Sequence, residues 1–441
     1  MASENPMTVA VCQLNCTDDR EKNFEVCKNF ISKAAFHQAK MVFLPECFDH
    51  VGNNKRQSIE LSEPLDGPLM KKYQQLALEK SIWLSLGGFH EKQGQKDEKV
   101  YNSHIIIDDG GNIRAVYRKI HLFDIDIPGG IRLKESDFSI PGHQILPPVK
   151  TPVGNIGLGI CYDLRFPEFS LSLTKAGADI LTYPSAFTVT TGMAHWEVLL
   201  RSRAIETQSY VIAAAQTGKH NPKRSSYGHA MVVDPWGVVI ACCSSGPGMA
   251  LAEINLNYVN KVRAEMPIWL HRRDELYGSI LSAKDSFDSP NSVMFGQIEL
   301  LPEQLFHRTR FSVAFVNKKP VVPGHVLVTP VRCVERFADL SPTEVADLFS
   351  CVQVAQKIVE EEYSTRSSTI SIQDGPDAGQ TIPHVHVHIL PRRPGDFEEN
   401  DDIYRELEAH DKSKDVKWRS NEEMAEEADR LRKKVKTVHK F

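Results

Sequence analysis

From Thr8 to Tyr277, short β-branched apolar runs alternate with stretches of helical periodicity. An alternating run begins at Thr8 and ends at Leu14, and further strands are predicted at 42–44, 155–160, 180–183 and 211–215. Strands separated by helices of this length predict an α/β sandwich. Two turn signals, Asp108-Asp109-Gly110-Gly111-Asn112 and Asp234-Pro235-Trp236-Gly237, sit between apolar runs and predict hairpins, so antiparallel pairs are mixed into the sheets. The pattern fades between Tyr277 and Phe295 into a Ser/Asp/Pro/Asn-rich stretch suited to a linker. Beyond it, strands are predicted at 311–316, 324–328, 369–373 and 385–390. Ser341-Pro342-Thr343-Glu344 has the form of a capping box and opens a helix reaching about Glu362. The second unit therefore reads as α+β. The reading divides the chain into 1–280, a linker at 281–293, and 294–441. The run from Asp396 to Phe441 is dense in charge and is expected to be solvated helix or disorder.

A length of 441 residues exceeds what one core usually serves, and 41% hydrophobic residues suffice for two. Lys plus Arg number 52 against 57 Asp plus Glu, a formal charge of −5, which argues against a nucleic-acid scaffold. No segment approaches the roughly 18 consecutive apolar residues of a membrane span. The nine cysteines lack CxxC spacing and read as reduced thiols, which implies a cytoplasmic setting.

Cys161 follows the apolar run 156–160 and precedes Pro167, giving strand, sharp turn and helix. Such a place exposes a thiol to backbone N–H donors and a positive helix end, which favour thiolate. Glu46 and Lys119 each end another predicted strand. Individually these residues are ordinary. In their phrases, FLPE (43–46), YRKIHLFD (117–124) and GICYDLRFPE (159–168), they resemble the nitrilase superfamily, and the resemblance continues through YPSAF (183–187), HWE (195–197), RAIE (203–206) and DPWG (234–237). It covers residues 8–277 and is similar to the branch acting on deaminated glutathione. That resemblance implies an αββα sandwich and no cofactor for an amidase. Glu46 would be the base, Cys161 the nucleophile, Lys119 and the Tyr162 N–H the oxyanion donors, and Glu135 a supporting carboxylate.

His384, His386 and His388 alternate with Val385, Val387 and Ile389, which places three imidazoles on one strand face. On spacing alone, a metal site and a nucleophilic or phosphate-handling site are equally open. With QDGPDAGQT (373–381), PVVPGHVL (320–327), NKKP (317–320), VADLF (345–349) and NDDIY (400–404), the segment resembles the Fhit branch of the histidine-triad superfamily over 294–411. The resemblance implies no metal in the site itself, though a divalent cation can accompany the polyphosphate substrate. It implies attack by His386 on a dinucleoside polyphosphate, with the His384 carbonyl fixing the His386 tautomer and His325 supporting His384. Gln373, Gln380 and His388 would contact phosphate or bridging oxygens, and Asn317 the ribose. The joint match resembles nitrilase–Fhit fusions. It implies a bifunctional hydrolase of small carboxamides and dinucleoside polyphosphates, assembled as a homo-oligomer, a tetramer, with no nucleic-acid or membrane partner. The alternative is a nucleotide-bound signalling module on a nitrilase-like scaffold.

Overall fold

The computed structural model describes residues 6–92, 94, 98–126, 132–277, 280, 282–283, 293–410 and 418–438. The chain divides into two compact units, Met1–Phe287 and Asp288–Phe441.

In the first unit two sheets lie between two helical layers. One sheet runs in the order Arg224–Tyr227, Ala215–Asn221, Met7–Leu14, Met41–Leu44, Trp83–Glu91, Tyr101–Ile107, Ile113–Arg118, with Gly248–Ile254 also paired to Met7–Leu14. The other runs Val239–Cys242, Met231–Val233, Tyr210–Ala213, Ile180–Thr182, Gly154–Leu158, Val149–Thr151. Side-chain alternation explains the layering. Val9, Val11, Met41 and Phe43 join Ile156, Leu158, Ile180 and Val211 in one core, whereas Ala10, Cys12, Val42 and Leu44 join Phe24, Cys27, Ile31 and Tyr73 from helices in another. Strands covered on both faces are apolar throughout, as in Met41–Leu44, where every residue is buried. Both predicted hairpins form. Asp108 accepts from the N–H groups of Gly110 and Asn112, and Asp234 from those of Trp236 and Val238, with Gly111 and Gly237 at φ +79° and +89°.

The second unit is an antiparallel sheet ordered Leu305–Arg308, Ser312–Val316, Val326–Pro330, Val387–Pro391, Ser368–Ile372. The helix Pro342–Glu362 carries the predicted capping box at Ser341 and Glu344. It covers one sheet face with Leu348, Val352, Ala355 and Val359 against Val326, Val328, Val385, Val387 and Ile389.

The charged tail corrects its expectation in part. The helix Asn421–Val438 buries Met424, Ala428 and Leu431 in that same core, while Arg430 and Lys434 pair with Glu362 and Glu361. Apolar residues at spacings of four and three are enough to dock a helix whose remaining face is charged. Residues 411–417 of the tail, and 284–292 of the predicted linker, lie outside the described residues. The described residues flanking that linker stretch are packed: Ala283 donates its N–H to the Ser172 carbonyl at 3.1 Å, and Val293 is buried with Phe295 and Phe315. Among the described residues no helix is long and apolar enough to cross a membrane.

Candidate active sites

Glu46, Lys119 and Cys161 lie just past the carboxyl ends of Met41–Leu44, Ile113–Arg118 and Gly154–Leu158. The Cys161 backbone is left-handed, at φ +45°, and its N–H donates to the Pro184 carbonyl at 2.9 Å. A non-glycine residue held there is strained, and the surrounding bonds hold it. Asp163, fully buried, accepts from the Ile160 N–H (2.9 Å), the Tyr117 hydroxyl (2.8 Å) and the His121 ring (2.8 Å), fixing the turn around the thiol.

Lys119 Nζ donates to Glu46 Oε1 at 2.9 Å and to Glu135 at 2.8 and 3.1 Å. The Cys161 thiol and the Glu46 carboxylate influence each other electrostatically, and the Ala186 N–H donates to Glu46 Oε2 at 2.9 Å. The structure thus brings all four predicted residues together, none more than 9% exposed. Sequence reasoning missed Asn102, whose Nδ2 donates to Glu46 Oε1 at 2.9 Å and to Glu135 Oε1 at 3.1 Å. It also missed Gln216, which donates to the Glu46 carbonyl at 3.0 Å. Their only signal was an amide side chain near the start of a strand.

Electrostatics correct one expectation. Burial pushes the Cys161 thiol well above its usual range and the Glu46 carboxylate adds to this, outweighing Lys119 and the Ala186 N–H. The resting sulfur is a thiol, not a thiolate. Burial acts upward on Glu46 too, but Lys119 and Arg224 win and hold its carboxyl below the ordinary carboxylate range. Burial disfavours charge on Lys119, but Glu135 and Glu46 more than reverse this. A neutral thiol beside an ionised carboxylate is a nucleophile paired with its general base.

In the second unit, Val385, Val387 and Ile389 enter the helix-covered core and the three imidazoles occupy the opposite face, beside Phe295, whose ring centroid is 5.1 Å from that of His386. His386 Nδ1 bonds the His384 carbonyl at 2.7 Å. A carbonyl only accepts, so Nδ1 carries the proton and the lone pair is on Nε2. His384 Nδ1 accepts from the Gly296 N–H at 3.1 Å and its Nε2 donates to the Arg332 carbonyl at 3.1 Å. Burial keeps this ring below the usual imidazole range. His325 supports His388 rather than His384. The Val321 N–H donates to His325 Nδ1 at 3.2 Å, so His325 Nε2–H donates to His388 Nδ1 at 3.0 Å, and the proton of His388 resides on Nε2. Both ring nitrogens of His384, and the Nδ1 atoms of His386 and His388, are thus engaged by protein partners.

Asn317 Nδ2 lies 3.4 Å from the His325 ring while its Oδ1 accepts from the Lys319 N–H. Gln373 lines a cavity of about 310 Å³ with Pro376, Asp377 and Tyr404. Gln380 instead braces the preceding turn, accepting from the Gly375 N–H at 2.7 Å and donating to the Glu335 carbonyl at 2.9 Å. Among the described residues, a grouping able to hold a metal is Asp49, His50 and His90, in the first unit. The Asp49 carboxylate there already accepts from the His90 ring at 2.9 Å and the His50 N–H at 2.9 Å, which satisfies it without an ion.

Residues 8–264 match the carbon-nitrogen hydrolase family and residues 299–395 the HIT domain. The nitrilase and fragile histidine triad fusion protein NitFhit of Caenorhabditis elegans is 52% identical over 420 residues, 95% of each chain. The chain belongs to the NitFhit family. The crystal structure of the C. elegans NitFhit protein agrees with a TM-score of 0.81 at 49% identity, covering 98% of this chain and all of that one. The deaminated glutathione amidase of Rattus norvegicus is 54% identical over 275 residues, 62% of this chain and 84% of that protein. As a NitFhit family member the chain fuses a nitrilase-type hydrolase to a histidine-triad domain.

Proposed function

We propose that the first unit hydrolyses a small carboxamide, deaminated glutathione, through a Cys161 thioester, and that the second cleaves diadenosine triphosphate to AMP and ADP through His386. The buried cluster of Glu46, Lys119, Glu135 and Cys161 carries the first part. Glu46 takes the thiol proton as sulfur bonds the amide carbon. Lys119 and the Tyr162 N–H stabilise the tetrahedral oxyanion. The protonated Glu46 passes its proton to the departing nitrogen, and ammonia leaves. Glu46 then takes a proton from water, whose oxygen attacks the thioester. The acid product departs and the sulfur is reprotonated.

In the second unit, His386 Nε2 attacks the α-phosphorus and the bond to the bridging oxygen breaks, so ADP leaves as its anion with His388 Nε2–H donating to it. Water then cleaves the phosphorus–nitrogen bond, giving AMP and restoring the imidazole. The 2.7 Å bond from His386 Nδ1 to the His384 carbonyl supports this, because it puts the nucleophilic lone pair on Nε2. Gln373 and Asn317 contact phosphate and ribose, Gln380 shapes the phosphate turn, and a divalent cation accompanies the polyphosphate as part of the substrate. We place the protein in the cytoplasm as a homotetramer. Exposed Val198 and Ile205 on the helix Val189–Thr207, with Trp236 and Val238 on the hairpin beside Ile205, offer an apolar face for self-association.

The test is product formation with each substrate by wild-type protein, Cys161→Ala and His386→Asn. Ammonia from deaminated glutathione should vanish only in the first variant, and AMP plus ADP only in the second. Equal ammonia release by wild type and Cys161→Ala removes the amidase reading, and equal nucleotide turnover by wild type and His386→Asn removes the other.

A further inference from the structure

Asn102 sits one residue into the strand Tyr101–Ile107, is 8% exposed, and belongs to none of the roles assigned above. Its side-chain amide spends its two N–H bonds on two different carboxylates, Glu46 Oε1 at 2.9 Å and Glu135 Oε1 at 3.1 Å. The reverse amide orientation would aim Oδ1 at two anions, so chemistry fixes which end faces them. The consequence is that Asn102 Oδ1 is buried without a hydrogen-bond partner. An unpaired buried acceptor is costly, which a residue serving only as filler would not incur. The Gly88 backbone approaches Glu46 and the amide closely. A Cβ on Gly88 would lie 2.7 Å from Glu46 Cα and 3.0 Å from Asn102 Oδ1, and Gly88 is at φ +70°.

Glu46 and Glu135 share the ammonium of Lys119, one positive charge facing two carboxylates. Without further donors the carboxylates would repel, and one would recruit a proton, as paired carboxylates do. We propose that Asn102 is a positioning residue that bridges Glu46 to Glu135 and so keeps Glu46 unprotonated and aimed at Cys161, ready to act as the base. The other charged or titratable groups facing Glu46 are Lys119, Arg224 and the Cys161 thiol, and the Ala186 N–H caps its second oxygen. Asn102 is therefore the neutral member of the shell that Glu46 and Glu135 have in common. The consequence for turnover rests on the amidase reading of this site, but the effect on Glu46 does not.

The experiment measures alkylation of Cys161 by iodoacetamide across pH in the full chain, read from the Cys161 peptide by mass spectrometry, alongside ammonia release. Removing a donor from a carboxylate raises its pKa, so Asn102→Leu should move the acid limb of the alkylation profile up by about one pH unit, a roughly tenfold slower reaction on that limb. Asn102→Asp, which adds a third carboxylate, should move it further. In a Glu135→Gln background, where one of the two anions is gone, the shift from Asn102→Leu should shrink. Asn102→Ser retains one donor and should fall between wild type and Leu, which keeps the test available if the Leu variant fails to fold. An acid limb that stays at the wild-type position in a folded Leu or Ser variant overturns the proposal. If the limb moves while wild type releases no ammonia from any amide, the bridge stands and the amidase reading alone falls.

Discussion

The two sites solve the same problem, keeping a nucleophile ready in a buried place, by opposite means. At Cys161 the solution is charge: an ammonium set between two carboxylates, where the thiol stays protonated until its base acts. At His386 the solution is the placement of neutral protons, passed from the Val321 N–H through His325 to His388 and from His386 to the His384 carbonyl. A charge cluster is strongly held but intolerant of losing a member, since each partner removed leaves a buried ion. A chain of neutral imidazoles costs less to perturb, because each link is one hydrogen bond.

The largest effects should fall on the nucleophiles. Cys161→Ala is expected to lower ammonia release by at least about a thousandfold with nucleotide hydrolysis unchanged, and His386→Asn to do the reverse, as measured by product assays on one preparation. Next comes Lys119→Met, which strands Glu46 and Glu135 together. A cost of about 3–5 kcal/mol is expected for breaking a buried pair, read as a Tm lower by roughly 10 °C for the first unit, with activity lost as well. His325→Phe should be milder. It removes the donor that fixes the His388 tautomer, so nucleotide turnover should fall about tenfold with no comparable loss of stability.

The pH profiles sharpen the contrast. The Glu46 carboxyl is held below its ordinary range, so its ionised form, and the stability it brings, persists as pH falls and is lost only below the usual carboxylate pKa of about 4.3. Nucleotide hydrolysis instead needs a neutral imidazole nucleophile, so its acid limb should report histidine rather than carboxylate protonation. Coincident acid limbs for the two activities would erase the distinction. The smallest effect expected is Ser341→Ala in the capping box, about 1 kcal/mol from the second unit by denaturant unfolding, with both activities intact.

The residues legible in the sequence were those whose chemistry is stated within a few neighbours. Glu46 and Cys161 each end an apolar run, Lys119 closes a strand, and the period of two in residues 384–389 determines which side chains share a face. Asn102 was not legible because its meaning lies in contacts 56 and 33 residues away. The pairing of His325 with His388 escaped for a similar reason: which ring nitrogen meets which is decided across the strand pair Val326–Pro330 and Val387–Pro391, not along the chain. The docked helix Asn421–Val438 was hidden by its own composition. Its charges outnumber Met424, Ala428 and Leu431, yet those three decide where it packs. The protonated state of Cys161 was misread from local geometry because depth of burial is a property of the finished fold.

The alternation of valine and histidine has one more consequence, for how the segment can change over time. Removing or adding a single residue between His384 and Ile389 would turn imidazoles under the helix Pro342–Glu362 and turn valines toward Phe295. Substitutions here can separate folding from chemistry, but insertions and deletions cannot: the frame that seals the hydrophobic interior is the same frame that aims the reactive nitrogen.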